Sequence, residues 1–210
     1  MKGSLIVVGF FLFGLVIGQI GTGFSAQAGV AYTLLFDSRV SFVALCGLLF
    51  FVGMGIGLNP NMANEICSLN PRLALLPVVT ILGSWLGAIF AWFLLQHRAL
   101  TDCLAVHSGF AYYSLSSIFI TSYRGAELGT IALLANIIRE LLTLLSTPLL
   151  AKIFGPLAPI SVGGATTMDT TLPIITQTIG QRYVALAIYH GFIVDFSVPF
   201  LVTGWCVFTS

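Results

Sequence analysis

The sequence has 210 residues, of which 58% are hydrophobic and only 7% charged, whereas roughly 25% of the residues in an ordinary soluble domain are charged. Eight basic and seven acidic residues give a net charge of +1, which excludes a basic field for nucleic acid and an acidic tail for a cationic partner. The mean hydropathy of +1.04 leaves too few polar side chains to cover a water-facing surface, so we predict a protein whose main solvent is lipid.

Seven apolar segments have the length, about 20 residues, that a helix needs to cross a bilayer. In chain order they are Gly3–Ile20, Val40–Leu58, Leu73–Leu95, Leu104–Tyr123, Ala126–Ala151, Pro159–Gln181 and Val184–Phe208. Long runs of this kind disfavour the short alternating strands of a membrane β-barrel. We therefore predict an all-α, multi-pass membrane protein with about seven transmembrane segments, organised as one integral membrane domain over residues 1–210.

The first segment has two interpretations. Lys2, the apolar core Leu5–Ile17 and the small-residue stretch Ser25–Ala28 would suit a cleaved signal peptide. However, a chain that is hydrophobic from end to end inserts through its own spans, which favours a first transmembrane segment. That segment ends at Gly18–Gly23, where the glycines predict a discontinuous helix.

Seven crossings would divide the basic residues between the two sides of the membrane. One side would hold Lys2, Arg72, Arg124 and Arg182, and the other side would hold Arg39, Arg98 and Lys152. Four against three favours a cytoplasmic N-terminus by a narrow margin, because cytoplasmic loops carry the excess of Lys and Arg.

Charged residues lie at the middle of the fifth segment, where each costs ~2.5–3.5 kcal/mol on insertion scales. These are Arg139 and Glu140. Asn136, Thr143 and Thr147 join them at helical spacings of three and four, which predicts one polar stripe that faces the protein interior. The stripe fits an internal Arg139–Glu140 ion pair that fixes helix packing, and it fits a transport site equally well.

Hydroxyl groups follow the fourth segment. Ser108, Tyr112 and Ser116 recur at spacings of four, so on a continuous helix they share one face, with Tyr113 and Ser114 beside them. Hydroxyls can bind a polar solute without the desolvation cost of a charge, but in membrane proteins they more often bond neighbouring helices. We take Tyr112, Tyr113, Ser114 and Ser116 as candidate substrate contacts.

The sixth segment reads GGATTMDTTLP from Gly163 to Pro173, a composition unsuited to a continuous lipid-facing helix. Pro173 has no N–H, and inside a helix its ring clashes with the carbonyl four residues back, that of Asp169. Irregular backbone at membrane depth survives only inside protein or against a water-filled cavity. The alternative is a re-entrant turn at the surface, with Asp169 in a loop.

Broken helices build the ion and substrate sites of many secondary transporters. We therefore place a helix break at Gly163, Gly164 and Pro173, with an unbonded Asp169 carbonyl, and the ion- and substrate-binding groups at Asp169, Thr166, Thr167 and Thr170. Together with Gly18–Gly23, this break would make two discontinuous helices, as in an inverted-repeat transporter fold.

The last segment contains His190 and Asp195. Five residues correspond to about 140° around a helix, so the two side chains do not share a face. Each is a secondary candidate for a proton path, with a partner-bonded structural role as the alternative. The four cysteines are far apart and form no CxxC pair, and we predict no metal and no cofactor.

Four stretches carry a family resemblance, three of them in the C-terminal half. They read LLFFVGMGIGLNPN, HSGFAYYSLSSIFITSYRGAELGTIALLANIIREL, GGATTMDTTLPII and VALAIYHGFIVDFSVPFL. Together they resemble the LysO-type lysine exporter family over nearly the whole chain. The resemblance implies export of L-lysine through the bacterial inner membrane, by a fold with inverted repeats and crossed, broken helices.

The chain departs from the family pattern in two ways. Family members usually carry further spans at the N-terminus, so the resemblance implies the larger, C-terminal part of a split exporter, completed by a small membrane subunit or by a homo-oligomer. In addition, Ala111 and Tyr112 stand where the family usually has glycine and tryptophan, and Ile137 stands where an acid often follows the asparagine equivalent to Asn136. Both changes bear on the identity of the substrate.

We therefore predict a secondary transporter that exports lysine or a related cationic amino acid in exchange for protons. Asp169 could hold either a proton or the ammonium group of the substrate. One alternative is an ion-coupled carrier of another solute, such as an organic anion, with Arg139 as its counter-ion, and another is a non-transporting structural subunit. An enzyme is disfavoured because the three histidines lie in different segments, without an HExxH or GxSxG arrangement.

Overall fold

The computed structural model describes residues 71–95 and 98–208, together with the isolated helical positions 13, 16, 17, 50 and 54. Contacts between residues divide the chain into two compact units, 1–65 and 66–210, and every helix whose bounds can be given lies in the second unit. Apart from those five positions, the predicted segments Gly3–Ile20 and Val40–Leu58 lie outside the described residues, as does the predicted break at Gly18–Gly23. The organisation of the whole chain as one domain stays a prediction.

The described part of the chain is helical, without a strand. Its elements are α1 (Pro71–Ala74), α2 (Leu76–Leu94), α3 (Leu100–His107), α4 (Tyr113–Arg124), α5 (Ala126–Phe154), α6 (Leu157–Gly163), a 3₁₀ helix (Gly164–Met168), α7 (Leu172–Ile179), a second 3₁₀ helix (Gln181–Tyr183) and α8 (Val184–Val207). Three stretches, Pro71–Leu94, Ala126–Phe154 and Gln181–Val207, are long and apolar enough to cross a membrane. This is the architecture of an all-α membrane protein.

The long helices turn apolar residues outward and polar residues inward. Along α5 the exposed face carries Ile131, Leu134, Ile138, Leu142, Leu145, Leu149 and Ile153. On the opposite face, Asn136, Thr143 and Thr147 are buried, as the predicted polar stripe requires. Such an outer surface is stable in lipid, because neither aliphatic side chains nor a fully bonded helix needs water there.

Ionic contacts mark one end of the helix bundle. Arg98 pairs with Glu127, and Arg124 lies 3.8 Å from Asp102 and donates a 2.8 Å hydrogen bond to the carbonyl of Cys206. At this end, which we call the Arg124 end, α2, α4 and α8 finish and α3 and α5 begin. Because α5 has 29 residues and rises ~1.5 Å per residue, its other terminus lies at the opposite end of the bundle, which we call the Lys152 end.

Two helical hairpins enter this bundle from opposite ends. The first hairpin, α3–α4, leaves the Arg124 end and returns to it, and the second hairpin, α6–α7, leaves and returns to the Lys152 end. Their arms have only 7 to 12 residues, whereas a spanning helix needs about 20. The prediction that Leu104–Tyr123 and Pro159–Gln181 each cross the membrane is therefore not confirmed.

The hairpins also change the distribution of basic residues. Arg98 and Arg124 lie together at the Arg124 end, whereas the predicted seven crossings separated them. The Lys152 end holds Arg72, Lys152 and Arg182, because α1 begins, α5 finishes and α8 begins there. The predicted division of the basic residues between the two sides differs from this arrangement because it counted each hairpin as a crossing.

The tips of the two hairpins, residues 108–112 and 164–171, meet inside the bundle. The carbonyl of Phe110 accepts a 2.9 Å hydrogen bond from the N–H of Ala165. Gly164 has a φ of +61°, and a Cβ atom there would overlap the Phe110 carbonyl, so only glycine fits this approach. The contact joins the two hairpins directly through their backbones.

Two details of the tips correct the sequence analysis. The fourth segment is not one helix: α3 ends at His107, and Phe110 and Ala111 adopt positive φ values of 45° and 72°, so Ser108, Tyr112 and Ser116 do not share a helix face. In the second tip, Pro173 lies in the first turn of α7, where its missing N–H has no intrahelical partner to lose. The Asp169 carbonyl is not unbonded, because it accepts the N–H of Leu172 at 3.3 Å.

Candidate functional site

Asn136 of α5 holds the first tip in place. Its side-chain oxygen accepts the N–H of Ala111 at 2.8 Å, and its amide nitrogen donates to the carbonyls of Val106 and Ala132 at 3.3 and 2.9 Å. The side chain is only 3% exposed, and a Cβ atom on Gly109 would collide with it. The Asn136 amide, which was predicted to bind substrate, therefore binds the backbone of a turn whose positive φ values are rare for residues other than glycine.

Replacing Asn136 with Ala should destabilise the protein by ~2 kcal/mol, because it leaves the buried N–H of Ala111 without a partner. We expect the midpoint of thermal unfolding in detergent to fall by roughly 4–8 °C. The matched control is Thr130→Ala on the same helix, where an exposed hydroxyl that bonds the carbonyl of Ala126 is lost. Equal unfolding midpoints for the two variants would contradict the conclusion that Asn136 holds the first tip in place.

Threonine hydroxyls close the second tip. Thr166 donates to the carbonyl of Gly163 at 2.9 Å, and Thr171 donates to the carbonyl of Thr166 at 2.9 Å. The Thr167 hydroxyl lies 2.9 Å from the carbonyls of both Gly164 and Ala187. Two of the predicted ligands, Thr166 and Thr167, are thus buried and occupied by backbone carbonyls.

His190 links the second tip to α2. Its Nε2 lies 2.9 Å from the Thr80 hydroxyl and its Nδ1 lies 3.2 Å from the Thr167 hydroxyl. His190 is therefore a fully buried bridge between α2 and the second tip.

Arg139 does not pair with Glu140, and the predicted ion pair is wrong. Arg139 donates from Nε to the carbonyl of Val162 at 3.0 Å, from Nη1 to the Ser84 hydroxyl at 3.1 Å and from Nη2 to the carbonyl of Ser161 at 3.4 Å. Its guanidinium also lies 5.6 Å from the centre of the Phe110 ring. Successive residues of a helix point in different directions, which separates the two charges.

Carboxyl groups from three elements converge near the second tip. Asp169 follows the 3₁₀ helix and accepts the N–H of Thr170, Glu140 comes from α5, and Asp195 comes from α8. The charge of Asp169 acts on both Glu140 and Asp195, and the Thr170 hydroxyl lies beside the carboxyl groups of Asp169 and Glu140. That hydroxyl is buried without a well-formed hydrogen bond.

The first tip contributes tyrosines to the same region. The charges of Asp169 and Asp195 act on Tyr112, and those of Glu140 and Asp169 act on Tyr113. Tyr112 and all three acids are half-buried, and Tyr113 is exposed. The fold therefore brings together acidic and phenolic groups that lie far apart in the sequence, and we call these six residues, Tyr112, Tyr113, Glu140, Asp169, Thr170 and Asp195, the acidic site.

Some predicted residues lie apart from the acidic site or are already bonded. Ser116 is buried and donates to the carbonyl of Tyr112 at 2.7 Å, and Ser114 is exposed. Sequence reasoning missed Thr80 and Ser84, which bond His190 and Arg139. The sequence feature that could have identified Thr80 and Ser84 is their spacing of four in an otherwise apolar helix, which places both on one face of α2.

The residues that the structure describes contain no group of three or more His, Cys, Asp or Glu arranged to hold a metal ion. What they contain is a set of half-buried carboxyl groups beside two backbone turns, inside a bundle whose outer surface is apolar. Irregular backbone and acids inside an apolar bundle are typical of one class, that of membrane proteins that carry small solutes.

Within that class, the chain belongs to the lysine exporter LysO family, whose family model matches residues 8–206. The resemblance in the sequence analysis is thereby confirmed, and the family is one of exporters rather than of enzymes. Over 201 residues, 95% of this chain, it is 34% identical to the lysine exporter LysO of Escherichia coli (strain K12), of which it covers 62%.

A second relative is a putative lysine exporter of Haemophilus influenzae. The two sequences are 33% identical over 175 residues, which are 83% of this chain and 88% of that protein. The chain thus spans about three fifths of the Escherichia coli relative and most of the Haemophilus influenzae relative. No solved structure matches the chain.

Proposed function

We propose that the chain is the transporting part of a secondary exporter for L-lysine, or for a closely related cationic amino acid, in the bacterial inner membrane. The observation that carries the proposal is the convergence of Asp169, Glu140 and Asp195 inside an apolar bundle. Three acids at membrane depth are costly unless they meet a cation or bind protons. Both relatives are named as lysine exporters.

In this proposal Asp169 couples the two fluxes. It holds a proton when the site is empty of substrate and an ammonium group when lysine is bound, so that lysine leaves as a proton enters. Lysine carries two ammonium groups, and Glu140 or Asp195 can receive the second one. Tyr112 and Tyr113 add hydroxyls beside the acids.

The two hairpins supply access in this mechanism. The first hairpin enters from the Arg124 end and the second from the Lys152 end, and their tips meet beside the acidic site. Movement of one tip away from the other would open a path to one side of the membrane only. Among the described residues, three basic residues at the Lys152 end against two at the Arg124 end favour the cytoplasm for the Lys152 end.

The alternative functions fit less well. A carrier of organic anions needs a free cationic group, but Arg139 is occupied by carbonyls of α6 and by Ser84. A subunit that does not transport would have no use for a carboxyl group, that of Asp169, whose charge opposes those of both Glu140 and Asp195, because removing these acids would lower the cost of insertion.

We further propose that a small membrane subunit, or a second copy of this chain, supplies further spans to the complete exporter. The test is efflux of labelled lysine from proteoliposomes that contain this chain alone, or this chain with a separately encoded candidate subunit. We expect slow efflux from the chain alone and fast, proton-gradient-dependent efflux with the subunit. Fast efflux from the chain alone would favour the second copy instead.

The same vesicles test the substrate class. Labelled succinate serves as the competing solute because it has carboxylates and no ammonium group. Efflux of succinate without efflux of lysine would contradict the proposed function and support the organic-anion carrier.

A further inference from the structure

The C-terminal end of α6 poses a problem of hydrogen bonding. The last four carbonyl groups of a helix have no partner within it, and buried carbonyls need one. Here the carbonyl of Ile160 accepts the N–H of Gly164, and that of Gly163 accepts the Thr166 hydroxyl. The remaining two, on Ser161 and Val162, both accept from the guanidinium of Arg139.

The same guanidinium contacts two further elements. Nη1 donates to Ser84 of α2, and the cation lies over the ring of Phe110, which belongs to the tip of the first hairpin. Arg139 thus touches the tip of the first hairpin and the end of α6 that leads into the tip of the second hairpin, and the two tips also meet directly through the hydrogen bond from Ala165 to Phe110. Its positive charge is favourable beside the negative end of the α6 dipole.

The geometry leaves little of Arg139 for a substrate. A carboxylate is usually held by two parallel N–H groups, either Nε with one Nη or the two Nη groups. Nε–H and one N–H of Nη2 are directed to α6, and one N–H of Nη1 is directed to Ser84, so the Nε–Nη2 pair is filled and each Nη keeps one further N–H. One face of the guanidinium lies over the Phe110 ring.

We infer that Arg139 is a positioning residue that ties the tips of the two hairpins together, and that the carboxylate of the substrate binds elsewhere. This inference rests on the proposed function, because it assigns a role within lysine transport. Its consequence is that Arg139 governs how fast the tips separate, and therefore turnover, rather than the recognition of lysine.

Arg139→Gln is the direct test, in the reconstituted exporter. Hydrogen exchange should rise ~10-fold or more in peptides that cover residues 106–113 and 163–171, since bonds to a charged group are lost. Lysine turnover should rise by a similar factor, because the tips separate faster. The ratio of the apparent KM for lysine to that for lysine amide should stay within about twofold of the wild-type ratio. Lysine amide lacks the carboxylate.

Two variants serve as controls. Arg98→Gln removes an exposed arginine that pairs with Glu127 at the Arg124 end, and it should leave exchange at both tips unchanged. Ser84→Ala removes one partner of Arg139 and should raise exchange at the tips less than Arg139→Gln does. If Arg139→Gln fails to fold, Arg139→Lys replaces it, because lysine keeps the charge but lacks the planar fork that bonds both carbonyls of α6, and unchanged exchange at the tips in Arg139→Lys would then overturn the inference.

The opposite role predicts a different result. If Arg139 binds the substrate carboxylate, Arg139→Gln will lose the preference for lysine over lysine amide and will keep wild-type exchange at the tips, which would overturn the inference. A wild-type protein that neither binds nor exports lysine would refute the proposed function alone. In that event the exchange measurement still tests whether Arg139 ties the tips.

Discussion

Asp169→Asn should reduce lysine export ~30-fold or more, because removing one partner of a buried charge pair costs ~2–5 kcal/mol. Asn keeps the shape of Asp and can still accept the N–H of Thr170, so the protein should insert and fold as before. It can neither hold a proton nor balance an ammonium group. The measurement is efflux of labelled lysine from proteoliposomes over a range of pH, with the amount of inserted protein checked for each variant.

Three further variants make this result specific. Glu127→Gln removes an exposed acid of α5 at the Arg124 end and should keep wild-type export, provided that the loss of its pair with Arg98 is tolerated. Asp169→Glu should retain part of the activity with an altered pH dependence. Wild-type efflux by Asp169→Asn at every pH would refute the assignment, and Glu140→Gln and Asp195→Asn would then identify the coupling carboxyl.

Gly164→Ala should destabilise the protein by roughly 2–5 kcal/mol. A left-handed φ costs an L-residue ~1–2 kcal/mol, and overpacking adds ~1–3 kcal/mol, because the new Cβ atom overlaps the Phe110 carbonyl. The carbonyl is backbone and belongs to a tip held by Asn136, so it cannot move aside freely. Thermal unfolding in detergent and the yield of inserted protein measure the effect.

Other glycines separate the two contributions to this cost. Gly155 also has a positive φ, but a Cβ atom there meets no neighbour, so Gly155→Ala should show only the conformational part. Gly87 lies inside α2 in open space, and Gly87→Ala should leave stability equal or higher, because alanine is the better helix former. If Gly164→Ala were no worse than Gly155→Ala, the close approach of the tips would be disproved.

The long helices could be predicted because composition alone identifies them. Ala126–Phe154 and Gln181–Val207 match the predicted fifth and seventh segments to within a few residues. The polar stripe of α5 followed from spacings of three and four, and Asn136, Thr143 and Thr147 are buried as expected. These features depend on the helical period and on hydrophobicity, both of which are properties of local sequence.

The hairpins could not be predicted in the same way. An apolar run of about 20 residues has the length of one crossing helix and of two short helices joined by a turn. The turn of the first hairpin contains Phe110 and Ala111 at positive φ, and neither residue type signals such a turn. What stabilises it is Asn136, which is 25 residues further along the chain from Ala111.

The acidic site was only partly accessible from the sequence. Asp169 and Glu140 attracted attention because carboxylates are rare in apolar segments. The place of Pro173 could not be predicted, because a proline in the first turn of a helix and one in its interior look alike in a sequence. The true partners of Arg139 are mostly backbone carbonyls, which no residue type reveals. That these acids bind lysine stays a prediction.

The meeting of the two tips sets an order for the biogenesis of the chain. The first tip is completed by Asn136, made 25 residues after Ala111, and by Ala165, made 55 residues after Phe110. At a synthesis rate of 5–20 residues per second, the Phe110 carbonyl waits roughly 3–11 s for its partner. During that interval the arms of the first hairpin are too short to span the bilayer, so this hairpin must remain at the interface or beside the insertion machinery. It reaches its final depth only after α5 is in place and the second hairpin has been made.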